Sequence, residues 1–199
     1  SLIDTDGIEL YKGWLESDGS FDFTVPAGTD VAIDLDASIR IYAENNQVGR
    51  VLDYAPPHGG VWWYASEVNA VGLNSDRMDF FTITIPEEHS GAFNILDAVS
   101  RGQAFSPGIK PDPVTVVWPG TGRGRDVETT YHEDLDIIFL SKDPQTAWDE
   151  DLVLRMYGEY VHHWLLLDDS SLFCSGSPKG PRKKSSQCRA WTEGFGYFY

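Results

Sequence analysis

Apolar and polar residues alternate in short runs over the first 90 positions, at 8–11, 21–25, 31–35, 39–42, 61–64 and 80–85. A period of two sends successive side chains to opposite faces and predicts strands. The runs are separated by turn-forming clusters at 17–20, 26–28, 45–46, 56–60 and 74–76, built from Gly, Pro, Asn, Asp and Ser. Six or seven such strands, closely spaced, predict an N-terminal antiparallel β-sandwich over 1–90.

After Pro86 the period lengthens. Ser90 can cap a helix in which positions 92, 93, 95, 96 and 99 share one apolar face. A Pro/Gly loop at 106–113 leads to a strand at 114–118, a Gly-rich turn, and a further strand at 137–140. Asp149, Glu150 and Asp151 then place acid where a helix N-terminus favours it, and 152–167 reads as a long, mainly apolar helix. The second half, 91–199, is therefore expected to be an α+β domain. No internal repeat is present, and compositional bias is confined to the loop 175–186.

Composition narrows the partners. The 199 residues are 41% hydrophobic and 23% charged, which suits one packed domain or two small ones. A net charge of −16 opposes nucleic acid and anionic lipid surfaces. The acid is concentrated in residues 1–100, with 17 Asp and Glu against four Lys and Arg, while 101–199 hold 14 against 11. No stretch has the roughly 20 apolar residues of a membrane span, and the first residues lack a basic-then-apolar signal pattern. Cys174 and Cys188 flank a Ser, Gly, Pro and Lys-rich loop without metal-site or redox-motif spacing. A disulfide is the simpler reading, and it implies a secreted protein.

The long helix contains Gly158-Glu159-Tyr160-Val161-His162-His163, and a later phrase reads Ala190-Trp191-Thr192-Glu193-Gly194-Phe195-Gly196-Tyr197. These resemble the zinc metallopeptidases of the gluzincin type of zincin, in which a helix carries HExxH, often HEYGH in secreted members, and a later helix supplies a Glu within AW-x-EG(F/W)A. Further landmarks occur in the family's order: the run 92–97, the strand ending in Val117 and Trp118, the Tyr131 segment leading to 137–140, the acid at 149–151, and Cys188 ahead of Ala190 and Trp191. The resemblance covers 91–199 and implies a secreted zinc peptidase lineage, whose intact members would continue beyond Tyr199.

A catalytic zinc takes three protein ligands and a water, with two His one helical turn apart and the Glu between them polarising that water. Carried over by position, Glu159 matches the general base, His162 the second imidazole ligand, and Glu193 the third ligand, 31 residues further on. The first imidazole falls on Gly158, which has no side chain to bind a metal. Val161 replaces a small residue, Gly196 replaces an Ala, and Tyr197 stands where an acid would orient a histidine behind the metal ligands. His163 cannot simply substitute, since adjacent positions point about 100° apart on a helix.

Other signals yield to simpler accounts. Gly120 to Gly124 lack the Lys-Ser/Thr and following helix of a phosphate cradle, and Asp4 to Gly7 lack the distal Glu of a calcium loop. His58, His89 and His132 read as solvent-facing. Trp62 and Tyr64 share one face, with Trp63 on the other, as a sugar-stacking platform or as core. Lys179, Arg182, Lys183, Lys184 and Arg189 form a cationic patch that could meet an acidic partner or the chain's own acidic first half, and a solvated loop is the simpler account. The leading expectation is a metallopeptidase-like protein that binds a protein or peptide through an impaired site, with zinc weakly held or absent. An active peptidase with non-standard ligands and a carbohydrate-binding or adhesive β-module are the alternatives.

Overall fold

The structure, a computed structural model, describes residues 1–3, 8–16, 19–22, 38–53, 59–66, 82–105, 108–119, 121–122, 125–126, 128–166 and 194–195. The fold is mixed α+β, with two helices and two larger sheets among the described residues, divided between two units. One unit comprises Ser1–Tyr42 and Trp63–His89, the other Ala43–Trp62 and Ser90–Tyr199. This division differs from consecutive blocks of 1–90 and 91–199. The physical reason is strand pairing: residues 49–52 pair in parallel with 114–117, and Val51 and Leu52 are buried there.

The first unit holds β1 (Leu2–Ile3), β2 (Glu9–Tyr11) and β3 (Ser38–Tyr42). The second begins with β4 (Glu44–Asn45) and β5 (Gly49–Leu52), and β6 (Trp63–Ala65) returns to the first. Strands β2, β1, β3 and β6 lie in that order in an antiparallel sheet. Leu2 and Ile39 are buried on it, with Leu10, Tyr11, Phe21, Ile41 and Ile83 packed around them. The Ser1 ammonium donates to the Arg40 carbonyl at 2.6 Å, which fixes the start of β1 against β3.

Among the described residues this is one sheet, not the two facing layers of a sandwich. The expected strand at 31–35 and part of that at 21–25 lie outside the described residues. Thr82 to Ile85 are described and take part in no strand. Alternation there buries Ile83 on one side, but period two alone specifies no ladder partner.

The second unit is built around α1 (Glu87–Phe105), β7 (Val114–Val117), a small hairpin of β8 (Thr121–Gly122) and β9 (Arg125–Asp126), β10 (Thr130–His132), β11 (Ile137–Phe139) and α2 (Glu150–Leu166). Its sheet runs β10-β11-β7-β5-β4, parallel at the two central pairings and antiparallel at the outer two. Parallel neighbours need a crossover, and α1 supplies one between β5 and β7.

Both faces of the central strands are buried. Val51, Val116 and Ile138 join Ile95, Val99, Val153, Met156, Tyr157 and Tyr160 in the larger core. Leu52, Val117, Ile137 and Phe139 form a second cluster on the opposite face. That two-sided burial explains why 114–118 and 137–140 read as apolar runs without clear alternation.

Ser90 is not the cap of α1. The helix starts directly after Pro86, whose fixed backbone ends the preceding extended segment, and Glu87 and Glu88 occupy the first turn where the dipole favours acid. Asp149 does start α2, accepting a hydrogen bond from the Leu152 amide at 3.0 Å. Ahead of it, Asp143 caps a short 3-10 turn, Pro144–Ala147, whose Ala147 carbonyl accepts from Asn94 Nδ2 at 2.7 Å. Glycine permits the helices to approach closely: a Cβ on Gly102 would stand 2.8 Å from Tyr157 Cδ1.

Candidate functional site

The long helix places the sequence-matched residues on two sides of itself. Gly158 and His162 are four positions apart and both buried, with Val161 beside them; Glu159 and His163 are half-buried. His162 is only 5% exposed, and its Nε2 is buried without a hydrogen-bond partner among the described residues. Burial, and secondarily the neighbouring His163, holds this imidazole below its ordinary pKa, favouring the neutral ring. The ring of Phe195 lies against it, with centroids 5.1 Å apart and planes inclined at 47°.

His163 faces elsewhere. Its Nδ1 is in hydrogen-bond contact with the hydroxyl of Tyr131 on β10, and that hydroxyl donates to Asp136 Oδ1 at 2.7 Å. A phenol has one proton to give, so with Asp136 as its acceptor the Nδ1–H of His163 is the donor to the phenol oxygen. Burial first, then the bond to the Asp136 carboxylate, raises the Tyr131 pKa well above its ordinary value, which keeps the hydroxyl protonated. Tyr160 packs edge-on against Tyr131, with centroids at 5.9 Å, and donates to the Asp112 carbonyl. Burial raises its pKa also.

Sequence reasoning named Tyr131 only as a landmark and passed over Asp136. The available signal was the acidic turn 133–136 between two short strands: Asp136 has φ 55°, a left-handed value that Asp tolerates better than most side chains. The different partners of His162 and His163 agree with the roughly 100° offset of adjacent helical positions.

The described donors do not assemble a three-ligand zinc site. Gly158 contributes none, His163 is engaged with Tyr131, and among the described residues no group of three or more His, Cys, Asp or Glu is placed to hold a metal. Glu193, Tyr197, Cys174 and Cys188 lie outside the described residues, as do His58 and the cationic loop.

The remaining candidates are accounted for locally. Trp62 donates through Nε1 to the Trp118 carbonyl and stacks on that indole at 5.6 Å, as part of the larger core. Trp63 is 45% exposed, and the Arg40 guanidinium sits 4.2 Å over its ring. His89 and His132 are exposed, the former 5.6 Å from the Tyr64 ring. Asp143, Gln145, Thr146, Trp148 and Asp149 line an open depression of about 380 Å³ before α2. Among the described residues no helix is long and apolar enough to cross a membrane. No family model, no curated protein and no solved structure matches the chain.

Proposed function

We propose that the chain is a degenerate relative of the gluzincin-type zinc metallopeptidases, secreted, and acting by binding a protein or peptide rather than by cleaving it. The observation that carries this reading is the contact between His162 and Phe195. The resemblance rests on two phrases far apart in sequence, and a ligand-bearing phrase that ends in Glu193-Gly194-Phe195 has to come back to the helix holding His162. Phe195 packs on the core that α2 helps to form. The other landmarks gather in the same unit: 92–97 on α1, Val117 at the end of β7, Tyr131 on β10, 137–139 on β11, and Asp149 capping α2.

The chemistry available to these residues is limited. Glu159 can accept a proton only from a water that something else has acidified, and with Gly158 in place α2 offers a single imidazole toward such a centre. Zinc would supply that acidified water in an intact relative.

Metal analysis and reconstruction test the reading. The purified protein should contain far less than one zinc per chain, and Gly158→His should bind zinc measurably in a titration with the metal alone, since it restores two imidazoles one turn apart. Stoichiometric zinc in the unaltered protein, lost to a chelator together with a peptidase activity, would refute the impaired site. No gain in zinc affinity by Gly158→His would refute the assignment of α2.

A further inference from the structure

We propose that the depression ahead of α2 binds the ring of a neutral sugar, with Trp148 as the platform on which the ring stacks and Asp143, Gln145 and Asp149 as the groups that meet its hydroxyls. The residues concerned are distinct from those matched to the zinc peptidases, and the inference does not rest on that reading.

Trp148 is 43% exposed. One exposed indole on a protein surface is ordinary. This one forms a wall of an open concavity of about 380 Å³, within the size range of small-molecule sites. Trp62 and Trp118 stack on each other, and Trp63 lies beneath the Arg40 guanidinium. Among the described residues Trp148 has no ring or cation against it, and its indole N–H has no acceptor. The backbone beneath it is nonetheless fixed. Its amide donates to the Gln145 carbonyl at 2.9 Å, Thr146 and Ala147 before it are buried, and the Ala147 carbonyl accepts from Asn94 on α1 at 2.7 Å. An indole on a fixed backbone has only two side-chain torsions to lose when a ligand covers it.

The polar groups around the indole suit hydroxyls. Asp143 and Asp149 each commit one carboxylate oxygen, Oδ1, to a backbone amide, that of Gln145 and that of Leu152, both at 3.0 Å. These bonds orient the carboxylates, and among the described residues the Oδ2 of each has no hydrogen-bond partner. Gln145 is exposed, and its carboxamide adds donors as well as an acceptor. A sugar ring matches this lining: its C–H face meets the negative face of the indole, and hydroxyls around its rim can both give and accept hydrogen bonds. A cation is drawn less strongly than two carboxylates suggest, since each already faces backbone amides that offset part of its charge.

An NMR titration of the isotope-labelled full chain tests the site, with the Trp148 indole N–H resonance, identified by its loss in Trp148→Phe, as reporter. The probes are neutral oligosaccharides of glucose, mannose, xylose and N-acetylglucosamine, with N-acetyl-lysine methylamide as a cationic side chain. At least one oligosaccharide should shift the reporter saturably at millimolar concentration or below. Trp148→Ala, followed through the Gln145 amide, should weaken that binding on the order of tenfold or more. Replacing Asp143 and Asp149 together by Asn keeps both caps and puts an N–H where Oδ2 was. A hydroxyl can accept from that N–H and an ammonium cannot, so sugar binding should survive in weakened form.

No saturable shift from any of these oligosaccharides at millimolar concentration would overturn the site, as would sugar binding that a folded Trp148→Ala leaves unchanged. If the alanine variant does not fold, Trp148→Leu takes its place, apolar but without a π face, and unchanged sugar affinity there overturns the proposal. A shift by N-acetyl-lysine methylamide alone, lost in the double Asn variant, overturns it in favour of a basic partner. None of these results involves zinc, so the outcome for Gly158→His is decided separately.

Discussion

Replacing Tyr131 with Phe removes one oxygen and leaves the ring in place, so it isolates the chain Asp136, Tyr131, His163. Two hydrogen bonds are lost, one donated to a carboxylate at 2.7 Å and one accepted from His163 Nδ1–H. Bonds to charged groups contribute about 1.5–3 kcal/mol each and neutral ones about 0.5–1.5. The sum has to be discounted because Asp136 is exposed and recovers water on losing its partner. The edge-on contact with Tyr160 survives the change. A net loss of about 1–2 kcal/mol is expected, which lowers the folded-to-unfolded ratio roughly 5-fold to 30-fold. Urea denaturation should show an earlier midpoint with an unchanged slope, since the surface exposed on unfolding is the same.

A second readout is independent of stability. Ring-nitrogen NMR should find neutral His163 as the Nδ1–H tautomer in the unaltered protein, and a mixture in Tyr131→Phe. A variant as stable as the original, with the tautomer unaltered, would refute the argument that this phenol ties the end of α2 to the β10–β11 hairpin.

Three further outcomes follow from separate features. Tyr131 and Tyr160 both titrate above their unfolded value of 10.0, so the folded state keeps protons that the unfolded state sheds; their contribution is intact below about pH 10, and denaturation midpoints should fall as pH rises beyond it, less steeply in Tyr131→Phe. Gly49 has φ 152°, and a Cβ there would lie 2.2 Å from the Val114 carbonyl oxygen, so Gly49→Ala should cost about 2–4 kcal/mol; a variant of unaltered midpoint would contradict the β5–β7 register. Thiol titration of the denatured, non-reduced protein should find no free thiol if Cys174 and Cys188 are joined, a link that contributes on the order of 3 kcal/mol in the chain-entropy account, and two free thiols would remove both the link and the argument for secretion.

Periodicity made the second unit legible where burial and pattern agree. The runs at 114–117 and 137–139 and the acid-led helix from Glu150 are set by local chemistry: apolar β-branched residues in the one case, Asp149 and a charged first turn in the other. Ser90 is a good cap in isolation, while Pro86, four residues before it, sets the boundary and the helix starts at Glu87. The first half reads as one continuous block because its runs have the same period throughout. Period reports which face is buried and is silent on which strand is the neighbour, so nothing in 49–52 distinguishes a partner at 39–42 from one at 114–117.

The site shows the same split. Gly158, Glu159 and His162 could be named because they occupy positions of a spaced motif. Tyr131 reads only as a landmark and Asp136 belongs to no motif, since their relation to His163 is spatial: Asp136 meets Tyr131 through a hairpin, and Tyr131 meets His163 across 32 positions. Phe195 was visible only as part of a phrase, and its contact with His162 is a product of folding.

The pairing of β5 with β7 also bears on how the chain is made. Synthesis delivers Gly49–Leu52 early and Val114–Val117 only after all of 63–113 has emerged. Until then one side of β5 is an open row of backbone donors and acceptors beside Val51 and Leu52, two residues destined for opposite hydrophobic faces. A chain stalled, cleaved or truncated before Val114 therefore displays a sticky strand edge that a neighbouring nascent chain can pair with. Cutting the gene at residue 90 to obtain a smaller protein would make that exposure permanent, so such a fragment should accumulate as aggregate even though its own four-stranded sheet has all its strands.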